Sequence, residues 1–192
     1  MKKLSCKKNN KGFSLTELLV AVLILSMVSA VVAGGIPVAK DAYEKITVSA
    51  NAQVMLSTTI SALRNELCTA SDLSVEEVPK PKWVRYYNPS ISNYSKISIG
   101  KSNDETYQEK DTILIKHFSD KEPKEGDKDN TRTLVSKAIG DGKLYVTYDE
   151  VLYDEGKGVI TFTDLKVMDA TGDAHAHLKD EDNKIQIRLI KP

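Results

Sequence analysis

From Leu18 the chain runs LLVAVLILSMVSAVVAGGIPVA, 22 residues without a charge, behind a leader whose only charged residues are lysines. Coiled as an α-helix at about 1.5 Å per residue, such a run matches the roughly 30 Å hydrocarbon core of a bilayer. Lys2, Lys3, Lys7, Lys8 and Lys11 precede it. Positive flanks are held on the cytoplasmic side, so the N-terminus is expected inside and the chain after Lys40 outside. One residue is out of place: Glu17, at the cytoplasmic border of an otherwise apolar helix. An ionisable group in that position is costly without a partner, which makes it a functional candidate by default. A cut after Gly12 would leave the new amine of Phe13 one helical turn from Glu17. The carboxylate would then have a cation to pair with, on its own chain or on a neighbour, in a low-dielectric setting where pairing matters.

Gly12-Phe13-Ser14-Leu15-Thr16-Glu17, after a short lysine-rich leader and before a Leu/Val/Ala helix, resembles the class III signal of type IV prepilins and type II secretion pseudopilins. The resemblance covers the leader and the membrane helix. It implies that a membrane-embedded prepilin peptidase cuts between Gly12 and Phe13 and N-methylates Phe13, and that Glu17 guides a new subunit into a filament by meeting its neighbour's amino terminus. The implied partners are other pilin or pseudopilin subunits, the peptidase–methyltransferase, the cytoplasmic membrane and an inner-membrane assembly platform. The implied location is a single pass through the cytoplasmic membrane, then a periplasmic or cell-surface filament. Two plainer readings explain less. A secretory signal cut after Ala33 gives Glu17 no purpose, and an uncut anchor leaves both Gly12-Phe13 and Glu17 as coincidences.

Lysine plus arginine and aspartate plus glutamate each count 27, but the leader holds five of the bases and no acid. Processing would leave 22 bases against 27 acids, which argues against gripping nucleic acid by bulk charge. A length of 192 residues suits the span plus one exported domain. Of the two cysteines, Cys6 lies in the leader, so Cys68 would be left without a disulfide partner in its own chain. This departs from the disulfide loop of many Gram-negative major pilins. Cys68 reads as a small apolar residue near a helix end.

The expected division is a leader over 1–12, a transmembrane or filament-core helix over 13–39, an amphipathic helix and connection over 40–78, and a sheet domain over 79–192. Ala52, Leu56, Ile60, Leu63 and Leu67 recur at helical spacing and form one apolar stripe. Gly34, Gly35 and Pro37 are expected to break the helix, because proline lacks an amide hydrogen and its ring crowds the carbonyl of Ala33. The break reads either as a kink at the membrane exit or, following the resemblance, as a segment that unwinds when the subunit leaves the bilayer for a filament. After Pro79-Lys80-Pro81 the pattern turns to short β-branched and aromatic runs at 83–87, 96–99, 112–118, 143–148, 158–162, 165–168 and 184–190. In the last, Ile185, Ile187 and Leu189 face one way and Gln186, Arg188 and Ile190 the other. The expected fold is therefore α+β, a long N-terminal helix packed on an antiparallel β-sheet in the pilin manner.

Little of the chain looks like chemistry. Gly-x-Ser-x-Gly, phosphate-loop and paired-cysteine patterns are absent. Asp173, His175, His177, Asp180, Glu181 and Asp182 gather in an expected loop over 169–183, whose composition is that of a hydrated turn. Asp127-Lys128-Asp129-Asn130 lacks the other positions of a calcium loop, and the mixed-sign run 119–131 reads as solvated chain. No enzyme, catalytic residue, metal or cofactor is expected. Lys80-Pro81-Lys82-Trp83-Val84-Arg85-Tyr86-Tyr87 is basic and aromatic, yet its alternation is expected to place Trp83 and some tyrosines in the core. The helix end over 60–70 and the strands 158–162 and 185–189 resemble J-type pseudopilins, which implies a structural minor subunit that helps initiate or cap a filament. The alternative is an adhesin or DNA-uptake (competence) pilin acting as a binding module.

Overall fold

A computed structural model describes residues 12, 14–101, 111–120, 131–136, 139, 142–178 and 183–190. The leader up to Lys11, Phe13, residues 121–130 with Asp127-Lys128-Asp129-Asn130, and Asp180, Glu181 and Asp182 lie outside the described residues. The chain divides into two compact units, Met1–Lys45 and Ile46–Pro192. Helix α1, Leu15–Leu67, opens in the first and ends in the second.

Within the first unit the side chains of α1 are exposed, Leu18, Leu19 and Leu25 by 60%, 61% and 67%. So much apolar surface suits a hydrocarbon environment, and the helix is long and apolar enough to cross a membrane. The hydroxyls of Ser26 and Ser29 donate to the carbonyl oxygens of Leu23 and Leu25, both at 2.8 Å, so the polar side chains of the run are satisfied within the helix. Gly34, Gly35 and Pro37, the residues expected to break the helix, lie inside α1. One proline removes one hydrogen bond, and the intact ladder on either side carries the backbone across it. A Cβ added at Gly34 or Gly35 would meet nothing within 4 Å, so no contact within the chain demands glycine there.

In the second unit α1 turns amphipathic. Ala52, Leu56, Leu63 and Leu67 of the expected stripe are buried, and Ile60 packs against them half-buried. Met55 and Thr59 join the buried face. Thr59 is a polar residue at 0% exposure, tolerated because its hydroxyl donates to the Met55 carbonyl at 2.8 Å. Burying each leucine contributes about 1.5–3 kcal/mol. At the C-terminal end the Cys68 amide still donates to Arg64 at 2.9 Å, and the Cys68 carbonyl accepts the Ile190 amide at 2.7 Å. A helix-end carbonyl is thereby satisfied by the chain's last described segment.

The rest of this unit is antiparallel sheet. One five-stranded sheet has the order β1-β2-β3-β4-β5, from β1 (Ser71–Val75), β2 (Trp83–Asn88), β3 (Asn93–Lys101), β4 (Asp111–Phe118) and β5 (Arg132–Thr133). A three-stranded sheet pairs β10 (Ala174–His177), β9 (Lys166–Asp169) and β6 (Leu144–Thr147). A second three-stranded sheet pairs β11 (Lys184–Arg188), β8 (Val159–Thr163) and β7 (Glu150–Asp154). The sheets meet around Pro79-Lys80-Pro81: the Pro81 carbonyl accepts the Val151 amide at 2.8 Å, and the Lys82 carbonyl accepts the Tyr148 hydroxyl at 2.9 Å. Apolar residues of α1 and of all three sheets form one core, with Tyr86, Phe162, Ile97, Ile115 and Ile160 fully buried.

The fold is thus α+β, with the helix packed against antiparallel sheet, and among the described residues the strands form three sheets where one was expected. β1 occupies part of the expected connection, β7 was not anticipated, and β10 replaces part of the loop expected over 169–183. β10 is short and its polar His175 and His177 mask the strand pattern; cross-strand pairing with β9 defines it. On β11 the alternation holds, with Ile185 and Ile187 buried and Gln186 and Arg188 exposed. Trp83 corrects another expectation. Val84 and Tyr86 point into the core, and Trp83, Arg85 and Tyr87 lie half-buried on the opposite face.

Candidate functional site

The start of α1 is built as a helix cap. The Ser14 carbonyl accepts the Leu18 amide at 3.2 Å, and a Glu17 carboxylate oxygen, Oε2, accepts the Ser14 amide at 3.0 Å. Ser14-Leu15-Thr16-Glu17 is therefore the S-x-x-E pattern of a capping box, in which the acidic residue reaches back over the first turn. The hydroxyls of Ser14 and Thr16 lie 2.7 Å apart. A carboxylate in the first turn also meets the positive end of the helix dipole. Glu17 thus has a local role besides the one its place at the membrane border implies, and the sequence signal for it is Ser14-x-x-Glu17.

Gly12 lies outside the helix and is exposed. A Cβ added to it would meet nothing within 4 Å, and its φ is not left-handed. Among the described residues no contact requires glycine at this position. Glu17 lines a shallow surface depression with Thr16, Val20, Ala21 and Ile24, so the carboxylate sits at the head of an apolar strip one helix face wide.

The other polar clusters are self-contained. The Asp169 carboxylate accepts the Thr171 amide at 2.9 Å, the Thr171 hydroxyl at 2.6 Å, the Asp173 amide at 3.1 Å and His175 Nε2 at 2.8 Å. These bonds, the one from His175 foremost, hold the Asp169 carboxyl well below the usual carboxylate range. They close the turn between β9 and β10, where Gly172 has φ +94°. Among the described residues no three His, Cys, Asp or Glu side chains gather closely enough to hold a metal ion.

A second cluster pairs a serine with a histidine. Ser95 Oγ lies 2.8 Å from His117 Nδ1, and Arg132 Nη2 lies 3.3 Å from His117 Nε2. Because a guanidinium only donates, Nε2 must accept and Nδ1 must carry the proton. The ring therefore donates to Ser95 and has no lone pair turned toward its hydroxyl. This is the reverse of what nucleophile activation requires. Nearby, Glu66 Oε2 accepts the Tyr86 hydroxyl at 3.2 Å and the Asn88 side-chain Nδ2 at 2.8 Å. Burial first, then Glu66, raises the Tyr86 phenol, and burial with Arg132 lowers His117.

A long helix with an exposed apolar first half, a carboxylate in its first turn and an antiparallel sheet domain fit a membrane-anchored protein with a pilin-like fold. Residues 7–33 match the family model of the prokaryotic N-terminal methylation motif, which places a prepilin-type signal over the leader and the first part of α1. The match supports a type IV pilin- or pseudopilin-like protein. No curated protein and no solved structure matches the chain.

Proposed function

We propose that the chain is a structural subunit of a type IV pilus or type II secretion-like filament, cut after Gly12 and N-methylated at Phe13. The observation that carries this reading is the coincidence of the methylation motif with Glu17 in the first turn of an exposed apolar helix. A glycine that the fold does not need is explained if an outside enzyme reads it. After the cut, the amine of Phe13 on one subunit and Glu17 on another form the pair that brings a subunit into register. The sheet domain lies outside the membrane, and assembly engages other subunits, the peptidase and an inner-membrane platform. Within the filament we assign a minor role, initiating or capping, on the resemblance of the helix end and the last strands to J-type pseudopilins.

The test is the mass of the first peptide of protein isolated from cells. Methylated Phe13 is expected; Met1 or Gly34 as the first residue would overturn the reading. Subunit counting by mass spectrometry of sheared filaments tests the minor role, for which a low copy number is expected.

A further inference from the structure

β5 is a strand of 2 residues at the edge of the five-stranded sheet. Arg132 pairs with Ile115 and Thr133 with Leu114 of β4, and the Leu134 amide donates to the Ile113 carbonyl at 3.0 Å. A strand so short holds little by itself, so a side-chain contact to it weighs heavily. That contact is the 3.3 Å one between Arg132 Nη2 and His117 Nε2. His117 stands half-buried in a cross-strand row on the inner face of the sheet, opposite Ser95 of β3, which is itself opposite Tyr86 of β2. Ser95 Oγ, 2.8 Å from Nδ1, fixes the ring. The charged or titratable groups that act on His117 or share its row are Arg132 from β5, Glu66 from α1 and Tyr86 from β2. Lys96 and Lys116, next to this row on β3 and β4, alternate to the opposite face, where Lys96 covers the Trp83 ring.

We propose that His117 is a proton-operated latch on β5: neutral, it accepts from Arg132 and holds the strand against β4; protonated, it releases the strand and bares the backbone edge of Leu114 and Ile115. A neutral imidazole has one lone pair to offer, and here it is turned to Arg132. A second proton can only land on that same Nε2. The ring would then present an N–H to a guanidinium N–H, cation against cation, and the contact that holds β5 would become a repulsion. Glu66 favours the charged ring, but burial and Arg132 oppose it and prevail, so the closed strand resists the proton. Opening takes Arg132 away and removes one of those two causes. Falling pH therefore favours the open form, over the range below the ordinary histidine value of about 6.5. Arg132 is exposed and has water to turn to, while Val135, buried two residues beyond β5, anchors the chain that follows. The edge can thus lift as a local event that leaves the rest of the sheet in place. A bared edge is a template for pairing with another strand. The latch is independent of the filament reading, since it would work in a chain that never entered a filament.

The experiment is amide hydrogen exchange of the full chain in detergent micelles, at pH about 7.5 and about 5.5, either side of the ordinary histidine value, with rates corrected for the intrinsic effect of pH. The Leu134 amide reports the closed edge, because it donates to Ile113 of β4. Its protection is expected to fall by about tenfold at the lower pH, the scale of one hydrogen bond lost. The amides of Ile185 and Ile187, on β11 paired with β8, should keep theirs. Glutamine stays neutral over this range, so His117→Gln should abolish the pH response. Arg132→Met removes the latch and should leave Leu134 poorly protected at both pH values. Protection on β11 shows that each variant is folded. Leu134 equally protected at both pH values would overturn the proposal, since the guanidinium would then swing into water while β5 stays. So would a pH response that survives in His117→Gln, or an equal loss of protection on β11, which would mark global unfolding.

Discussion

Glu17 accepts the backbone amide of Ser14 at 3.0 Å, so the residue singled out as a carboxylate at the membrane border is also the cap of the helix that carries it. The two roles use different properties, hydrogen-bond acceptance for the cap and charge for the neighbour's amine.

Glu17→Gln separates them. Glutamine serves in a capping box but cannot pair as an anion. Both Glu17→Gln and Glu17→Ala are expected to be cut normally and to enter sheared filaments about tenfold less, the scale of losing one charge-assisted hydrogen bond of about 1.5–3 kcal/mol. If the glutamine variant assembles like the parent, the cap and not the charge is what matters.

Helix continuity across Pro37 sets up a second prediction. Replacing Gly34, Gly35 and Pro37 together by alanine removes residues that cost about 1 kcal/mol each for glycine and about 3 for proline in a helix interior. Nothing in the chain would clash with the new Cβ atoms at Gly34 and Gly35. The variant should be processed normally and fail to assemble if the segment must unwind. Wild-type filament yield would dismiss the unwinding.

Leu63→Ala or Leu67→Ala, at 0% exposure each, should cost about 2–5 kcal/mol. Val54→Ala, on the exposed face of the same helix, should cost little. Denaturant midpoints of the full chain in detergent would show the contrast.

His117 supplies a pH dependence. Its pKa is lowered in the folded chain by burial and by Arg132 of β5, against an opposing pull from Glu66 of α1. Below the unfolded value of about 6.5 the unfolded chain binds the proton more readily, so the stabilisation present at neutral pH is lost as pH falls through this range. The parent should lose stability between pH about 7 and about 5. His117→Gln should lose less over the same interval, which thermal melts at the two pH values would reveal.

The anchor helix was legible in the sequence because its signals are local: absence of charge over a membrane's thickness, and an apolar stripe at helical spacing from Ala52 to Leu67. The alternation of β11 could be read for the same reason. The capping role of Glu17 is equally local, set by Ser14 three residues before it. Tertiary structure alone decided the face of β2, since Trp-Val-Arg-Tyr-Tyr offers an aromatic or apolar residue at either parity. Packing chose Val84 and Tyr86 for the core, and with them set Arg85 opposite Lys96, which is itself opposite Lys116, residues that only strand pairing brings into one row. Tertiary structure also made β10 a strand, because a short run carrying two histidines becomes one when β9 supplies its hydrogen bonds. A pattern within one segment is set by its own residues; the choice between two equivalent faces is made by what packs against them.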